Sequence, residues 1–382
     1  MSMPTVLMLS QEVHPIPPLK GAAVEQWIDT VAHGFSEVAP HVVSVPHPDR
    51  PDSEMVGGVH YHRIRIGALY RRLFRKITRL DPYSYVDRIV AYASAVRADI
   101  IHVHNAPQFV PRLREGIREA RLLLHMHNEK AVTSLPPVDV LCGCSRYISE
   151  WFQARGVVAR RFVELPNGVD TGTFCPSGDV ARGSARARFE VPGGRFVVLY
   201  VGRISPEKGP DLLVEALQQL DRSRFCLVLA GEWPLGDIRQ SARVEFAEAL
   251  RARLAGIEVK VLGHFAPEAM PEIYRLGDLL VIPSRFEEPF SMVAIEAMAS
   301  GLPVLALRKG GMKEYMIDRE NAFLLPADVD AAALAKAIEM AAEAPREELE
   351  RMARRARAMV ESRFTWAHVV RETERLYREM LQ

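Results

Sequence analysis

Short runs of β-branched residues and leucine alternate along the chain with longer stretches whose apolar positions recur at helical spacing. The first series of runs is Thr5–Ser10, His41–Val45, Asp99–Val103, Leu122–Met126, Asp139–Leu141 and Arg161–Leu165, with an amphipathic stretch at Val24–Glu37. Runs of this kind, separated by helical stretches, are the signature of a parallel sheet covered by helices. The pattern breaks at Thr171–Gly194, which holds Pro176, Gly178, Gly183, Gly193 and Gly194. Such punctuation marks a domain boundary. The alternation restarts at Phe196–Val201 and continues through Phe225–Ala230, Val259–Leu262, Leu279–Ile282, Val304–Leu307 and Ala322–Leu325. Helices are expected near Asp330–Ala344 and Arg346–Ser362. A last stretch, Trp366–Leu381, sets Val369, Val370, Leu376, Tyr377 and Met380 at helical spacing. The pattern predicts an α/β fold of two facing Rossmann-like, doubly wound parallel-sheet domains, residues 1–170 and 171–363, and a final helix over 364–382.

Composition narrows the function. The 382 residues carry 49 Lys+Arg against 48 Asp+Glu, a net charge of +1, whereas a dedicated nucleic-acid binder shows a basic excess. DNA and RNA are therefore not expected as partners. Four cysteines cannot build a dense disulfide framework, and Cys142-Gly143-Cys144 has one spacer where zinc sites use two or more. Both observations point to a reducing cytoplasm and no structural metal. No 18-residue apolar run occurs and Thr5–Ser10 is too short for a signal-peptide core, so neither a membrane span nor secretion by that route is expected. The segment Leu69–Leu80 places Leu69, Leu73, Ile77 and Leu80 on one stripe among Arg71, Arg72, Arg75, Lys76 and Arg79. It fits two roles, a helix packed on the sheet or a peripheral contact with an anionic membrane at the inner face.

In open α/β sheets, ligands bind beyond the carboxyl ends of the strands. The loop after Phe196–Val201 reads Gly202-Arg203-Ile204-Ser205-Pro206-Glu207-Lys208-Gly209. It is neither a dinucleotide fingerprint nor a Walker loop. Arg203 and Lys208 either meet a diphosphate or decorate a solvated turn. The loop after Leu279–Ile282 carries Glu288, Pro289, Phe290 and Ser291 into a helix starting at Met292 and Val293. A helix N-terminus with free N–H groups attracts phosphate. Glu288 and Glu296, at most roughly 12 Å apart if helical, suit the hydroxyls of a nucleotide sugar or a solvated helix face.

These stretches together, with Ala230-Gly231-Glu232, Glu296–Val304, Gly310-Gly311, Leu165–Asp170 and Lys20-Gly21-Ala22, closely resemble retaining GT-B glycosyltransferases of family four, the group 1 glycosyltransferases. The likeness runs from about Gly21 to Phe364 and is strongest in the second half. It implies that Arg203 and Lys208 hold a donor diphosphate, that Glu296 takes the ribose hydroxyls and that Glu288 takes a hydroxyl of the transferred sugar. Gly202, Gly231 and the His264-Phe265 loop would border the nucleotide, and the backbone at Phe290, Ser291, Met292 and Val293 would meet phosphate or sugar oxygens. Gly21 and Ala22 stand in the family's N-terminal glycine loop, whose usual second glycine is Ala22 here. His127, just past Leu122–Met126, would contact the donor sugar on the acceptor side. The likeness also implies that the terminal helix crosses back to the first domain.

Alternation puts His102 and His104 on one face of their strand and His125 and His127 on one face of theirs. They read as core or cleft histidines or as an imitation of a metal cluster. The expected enzyme moves a hexose or hexosamine, without metal or other cofactor, from a nucleotide diphosphate sugar to a saccharide, lipid-linked or small-molecule hydroxyl acceptor. UDP is the expected nucleotide, and polysaccharide or envelope synthesis in the cytoplasm the expected setting. The competing readings are a coat or scaffold protein on the same fold and a sugar phosphorylase.

Overall fold

The computed structural model describes residues 3–19, 22–132, 135–234 and 241–382. The chain divides into two compact units, one made of residues up to Gly168 together with Trp366–Gln382, the other of Val169–Thr365. The change-overs fall at Gly168 and Thr365 rather than at the expected residues 170 and 363. The reason is local: Val169 and Thr365 form a parallel bridge, and the Val169 N–H donates to the Phe364 carbonyl at 2.7 Å, so both segments belong to the second unit.

The first unit is an eight-stranded sheet in the order β3-β4-β2-β1-β5-β6-β7-β8. Its strands are β1 (Thr5–Leu9), β2 (Ala39–Ser44), β3 (Ser53–Val56), β4 (Val59–Arg63), β5 (Ile100–His104), β6 (Arg121–Met126), β7 (Val138–Gly143) and β8 (Ala159–Glu164). All pairings are parallel except β3 with β4. The strand order reverses between β1 and β5, the topological switch point. One sheet face is covered by helices Ala23–Gly34 and Trp366–Leu381. Trp27, Ile28 and Val31 from the first meet Val369, Leu376 and Tyr377 from the second in a single core. The terminal helix thus belongs to the first unit, as the resemblance implies.

The second unit is a six-stranded parallel sheet in the order β11-β10-β9-β12-β13-β14. It comprises β9 (Phe196–Val201), β10 (Phe225–Ala230), β11 (Val259–Gly263), β12 (Leu279–Ile282), β13 (Val304–Leu307) and β14 (Phe323–Leu325). Every residue of β10, β12 and β13 is buried, the property that makes these strands read as continuous apolar runs. Here the order reverses between β9 and β12, so the Gly202–Gly209 loop and the Pro283–Ser291 loop leave the sheet side by side at its switch point.

Candidate active site

Two glycines fix the loops of the second unit. Gly209 ends the short turn Pro206–Lys208 with φ 68°, and a Cβ there would run into the Pro283 carbonyl oxygen. Gly310, with φ 50°, sits against the Glu288 carbonyl in the same way, and the next N–H, of Gly311, donates to that carbonyl at 2.8 Å. Only a residue without a side chain allows backbones this close. The loops after β9, β12 and β13 are thereby locked together, and Lys208 is brought to Glu288.

The Lys208 ammonium lies 2.7 Å from Glu288 Oε1, and the Ser284 hydroxyl donates to the same oxygen at 2.5 Å. Glu288 is 4% exposed. The Lys208 ammonium also stands over the Phe286 ring, 4.7 Å from its centroid. Glu288 is therefore engaged by Lys208 and Ser284 in this structure, because a buried carboxylate needs a partner. Arg203 is exposed and, among the described residues, its ion pair is a loose one, 3.9 Å, with Glu207. Glu287 accepts the Gly310 N–H and lies 4.0 Å from the Lys309 ammonium.

The helix Met292–Ala299 begins beside this pair. Ser291 precedes it with φ 77° and makes no side-chain cap. The first-turn N–H groups therefore have no cap from the Ser291 side chain. Phe290 is buried against Tyr315 and Phe364, and its carbonyl accepts from the Tyr315 hydroxyl. Met292 and Val293 are half-buried. Glu296 accepts from the Tyr274 hydroxyl at 2.6 Å, and burial pushes its carboxyl up to about 7. Sequence reasoning missed Tyr274 and Ser284; nothing in their local sequence marks them.

Gly202 and Gly231 end β9 and β10 in near contact, and the Gly231 N–H donates to the Gly263 carbonyl at 2.6 Å. His264 is exposed next to them. Phe265 packs edge-on against Phe189 with centroids 5.8 Å apart. A cavity of about 500 Å³, lined by Arg182, Asp278, Arg346 and Arg357 among others, contains none of the expected site residues.

In the first unit Gly21 lies outside the described residues, and Ala22 immediately precedes the helix Ala23–Gly34. The four histidines meet on one sheet face, because β5 and β6 pair with His104 opposite His125. Trp27 covers them, with centroid distances of 4.9 to 6.3 Å. His125 Nε2 is 3.0 Å from the Leu165 carbonyl, which can only accept, so that nitrogen carries the proton. His125 Nδ1 is then a lone pair, and His102 Nε2–H donates to it at 3.3 Å. His102 Nδ1 in turn accepts from the Tyr377 hydroxyl at 2.5 Å. His104 Nδ1 lies 3.2 Å from His127 Nε2.

Nitrogens of His102, His104 and His125 lie within 4.8 Å of one another, close enough for a metal. Those of His102 and His125 are already satisfied as neutral donors and acceptors, whereas His104 Nε2 is buried with no partner among the described residues. The chemistry fits a ladder of neutral rings. Burial lowers the pKa of His102, His104 and His125 well below the ordinary range and takes His127 down to about 3.

An acid sensitivity follows. Below pH 6.5 the unfolded chain protonates these histidines while the folded chain refuses the proton, so their contribution is complete above 6.5 and lost as pH falls. Each of the three fully buried rings should remove about 1.4 kcal/mol per pH unit below that point. Urea midpoints at pH 7.5 and pH 5 measure the loss; equal midpoints would contradict neutral burial.

Two Rossmann-like units, with the last helix returned to the first, define the GT-B class of fold. Residues 182–359 match the family described as glycosyl transferases group 1. Over 368 residues, 94% of each chain, the protein is 31% identical to the lipopolysaccharide 1,2-N-acetylglucosaminetransferase of Salmonella typhimurium. The chain belongs to the group 1 glycosyl transferases. It is also 27% identical to the spore coat protein SA of Bacillus subtilis, over 97% of this chain and 98% of that one. Among solved structures it is similar to Anabaena HepE in complex with UDP-glucose, with TM-score 0.76 and 21% identity over 98% of this chain and 99% of that one.

Proposed function

We propose that the protein is a retaining family-four glycosyltransferase that moves a hexose or hexosamine from a nucleotide diphosphate sugar to a hydroxyl acceptor, at the cytoplasmic side, in envelope or polysaccharide synthesis. The observation that carries this reading is the cluster at the switch point of the second sheet. There Lys208 meets Glu288, Arg203 stands on the same loop as Lys208, and the uncapped helix that carries Glu296 starts just after Ser291, where the loop bearing Glu288 ends. A diphosphate satisfies all three positive features at once. Binding it would draw Lys208 away from Glu288 and free that carboxylate for a sugar hydroxyl. The UDP-glucose complex of HepE favours a UDP-sugar, and the named activity of the Salmonella relative favours a hexosamine.

In same-face transfer the bond from the anomeric carbon to the diphosphate oxygen breaks as a bond to the acceptor oxygen forms, and the acceptor proton passes to the departing diphosphate. Lys208, Arg203 and the helix start stabilise the charge on that leaving group, so no metal is assigned to the step. His127, held neutral by burial, suits a hydrogen bond to a sugar hydroxyl rather than proton transfer. A non-catalytic coat role remains the second reading because a relative carries that name.

A thermal-shift panel of UDP-, GDP- and ADP-sugars, with and without EDTA, tests both. A UDP-sugar should raise Tm with the logarithm of its concentration, unaffected by EDTA. Stabilisation that vanishes with EDTA would overturn the metal-free assignment, and no stabilisation by any nucleotide sugar would favour the coat reading.

A further inference from the structure

The segment between β4 and the helix Tyr85–Ala95 is wound as one turn of α-helix, Ala68–Tyr70, followed by seven residues of π-helix, Arg71–Ile77. Its apolar stripe does not pack on the sheet. Leu69 is 83%, Leu73 48%, Ile77 66% and Leu80 69% exposed. The segment is nonetheless fastened to the body from its other side. Arg75 is paired with Glu12 at 2.7 Å and Asp81 at 2.8 Å, and the Tyr70 hydroxyl donates to Asp81 at 2.7 Å. Phe74 packs on Tyr70, and the Arg88 guanidinium lies over Tyr83 and Tyr70. Inner residues thus hold the segment in place while four large apolar side chains face solvent.

Arg71, Arg72, Lys76 and Arg79 are exposed beside that stripe, and none of them is paired with a carboxylate among the described residues. Residues 67–80 include no acidic side chain. Apolar residues flanked by unpaired cations match the boundary between acyl chains and anionic headgroups. A second copy of this chain is a poor fit, since the same four cations would face each other. Among the described residues no helix is long and apolar enough to cross a membrane.

We infer that Ala68–Leu80 is a docking surface by which the first unit lies on an anionic bilayer, with Leu69, Leu73, Ile77 and Leu80 in the interface and Arg71, Arg72, Lys76 and Arg79 on the headgroups. The inference stands apart from the transfer reading: a protein of either proposed role could carry it.

Flotation of the full chain with vesicles tests it. The protein should float with phosphatidylcholine vesicles containing phosphatidylglycerol, and added salt should release it. It should remain in solution with phosphatidylcholine alone. Arg72→Ser with Lys76→Ser should weaken binding by about 30-fold, from the usual worth of two surface cations. Leu69→Ser with Ile77→Ser should abolish it, with an unchanged circular dichroism spectrum because these side chains are solvent-exposed. Wild-type protein that fails to float, or floats equally with neutral vesicles, would overturn the proposal. So would self-association that the Leu69→Ser, Ile77→Ser variant abolishes, which would assign the stripe to a second copy.

Discussion

Lys208→Ala should lower glycosyl transfer by about 100- to 1,000-fold, the usual cost of one electrostatic donor at a leaving group. The same change should lower the stability of the second unit. Glu288 is 4% exposed, and without the ammonium at 2.7 Å its carboxylate keeps, among the described residues, the Ser284 hydroxyl. Breaking a fully buried pair costs about 3–5 kcal/mol; partial exposure of Lys208 puts the loss below that. Two effects then share one substitution, and a second variant separates them. Adding Glu288→Gln to Lys208→Ala removes the stranded charge, so Tm should recover while transfer stays low. Arg203→Ala should lower transfer with little change in Tm, because Arg203 is exposed and its partner is 3.9 Å away. Full activity in Lys208→Ala, or recovery of transfer together with Tm in the double variant, would defeat the diphosphate assignment.

Continuous apolar runs made the buried parallel strands legible. The β3–β4 hairpin escaped, although Gly57-Gly58 stands between its strands, because β4 alternates Val59, Tyr61 and Arg63 inward with two histidines between and offers no apolar run. The helix Asp179–Arg188 escaped for another reason. It buries only Ala185, and Arg182 and Arg186 fasten it to Asp278, a tertiary bond that no local window contains.

Residue types and spacing marked the loops of the site but not the state of the groups. An eight-residue interval cannot show that Glu288 is engaged by Lys208, 80 positions away, or that Glu296 is engaged by Tyr274. Alternation put two histidines on one face of each strand, and only the register that sets His104 opposite His125 makes them a ladder. Periodicity likewise could not tell whether the Leu69–Leu80 stripe was covered, since a buried stripe and an exposed one are written alike.

Deleting Trp366–Gln382 should unfold the first unit. Val369, Val370, Leu376, Tyr377 and Met380 are each at most 8% exposed and share a core with Trp27, Ile28 and Val31. Burial contributes about 1.5–3 kcal/mol for each such side chain. Even discounted for a compact unfolded chain, the five together approach the ~5–15 kcal/mol that stabilises a whole domain. Polar anchors go with them. The Glu374 carboxylate accepts the backbone N–H groups of Ser36 and Glu37 at 2.6 and 2.7 Å, just past the end of the helix Ala23–Gly34. Tyr377 supplies the hydroxyl at the head of the histidine ladder. Tyr377→Phe isolates that last link: it keeps the ring but leaves His102 Nδ1 buried without a donor, at a cost of about 1–3 kcal/mol. Limited proteolysis of the truncated chain should open sites before Gly168 while residues 169–365, which have a core of their own, stay protected. If the first unit kept its wild-type protection and melting temperature without the helix, the packing argument would fail, since five buried side chains and a buried hydroxyl would then have contributed nothing.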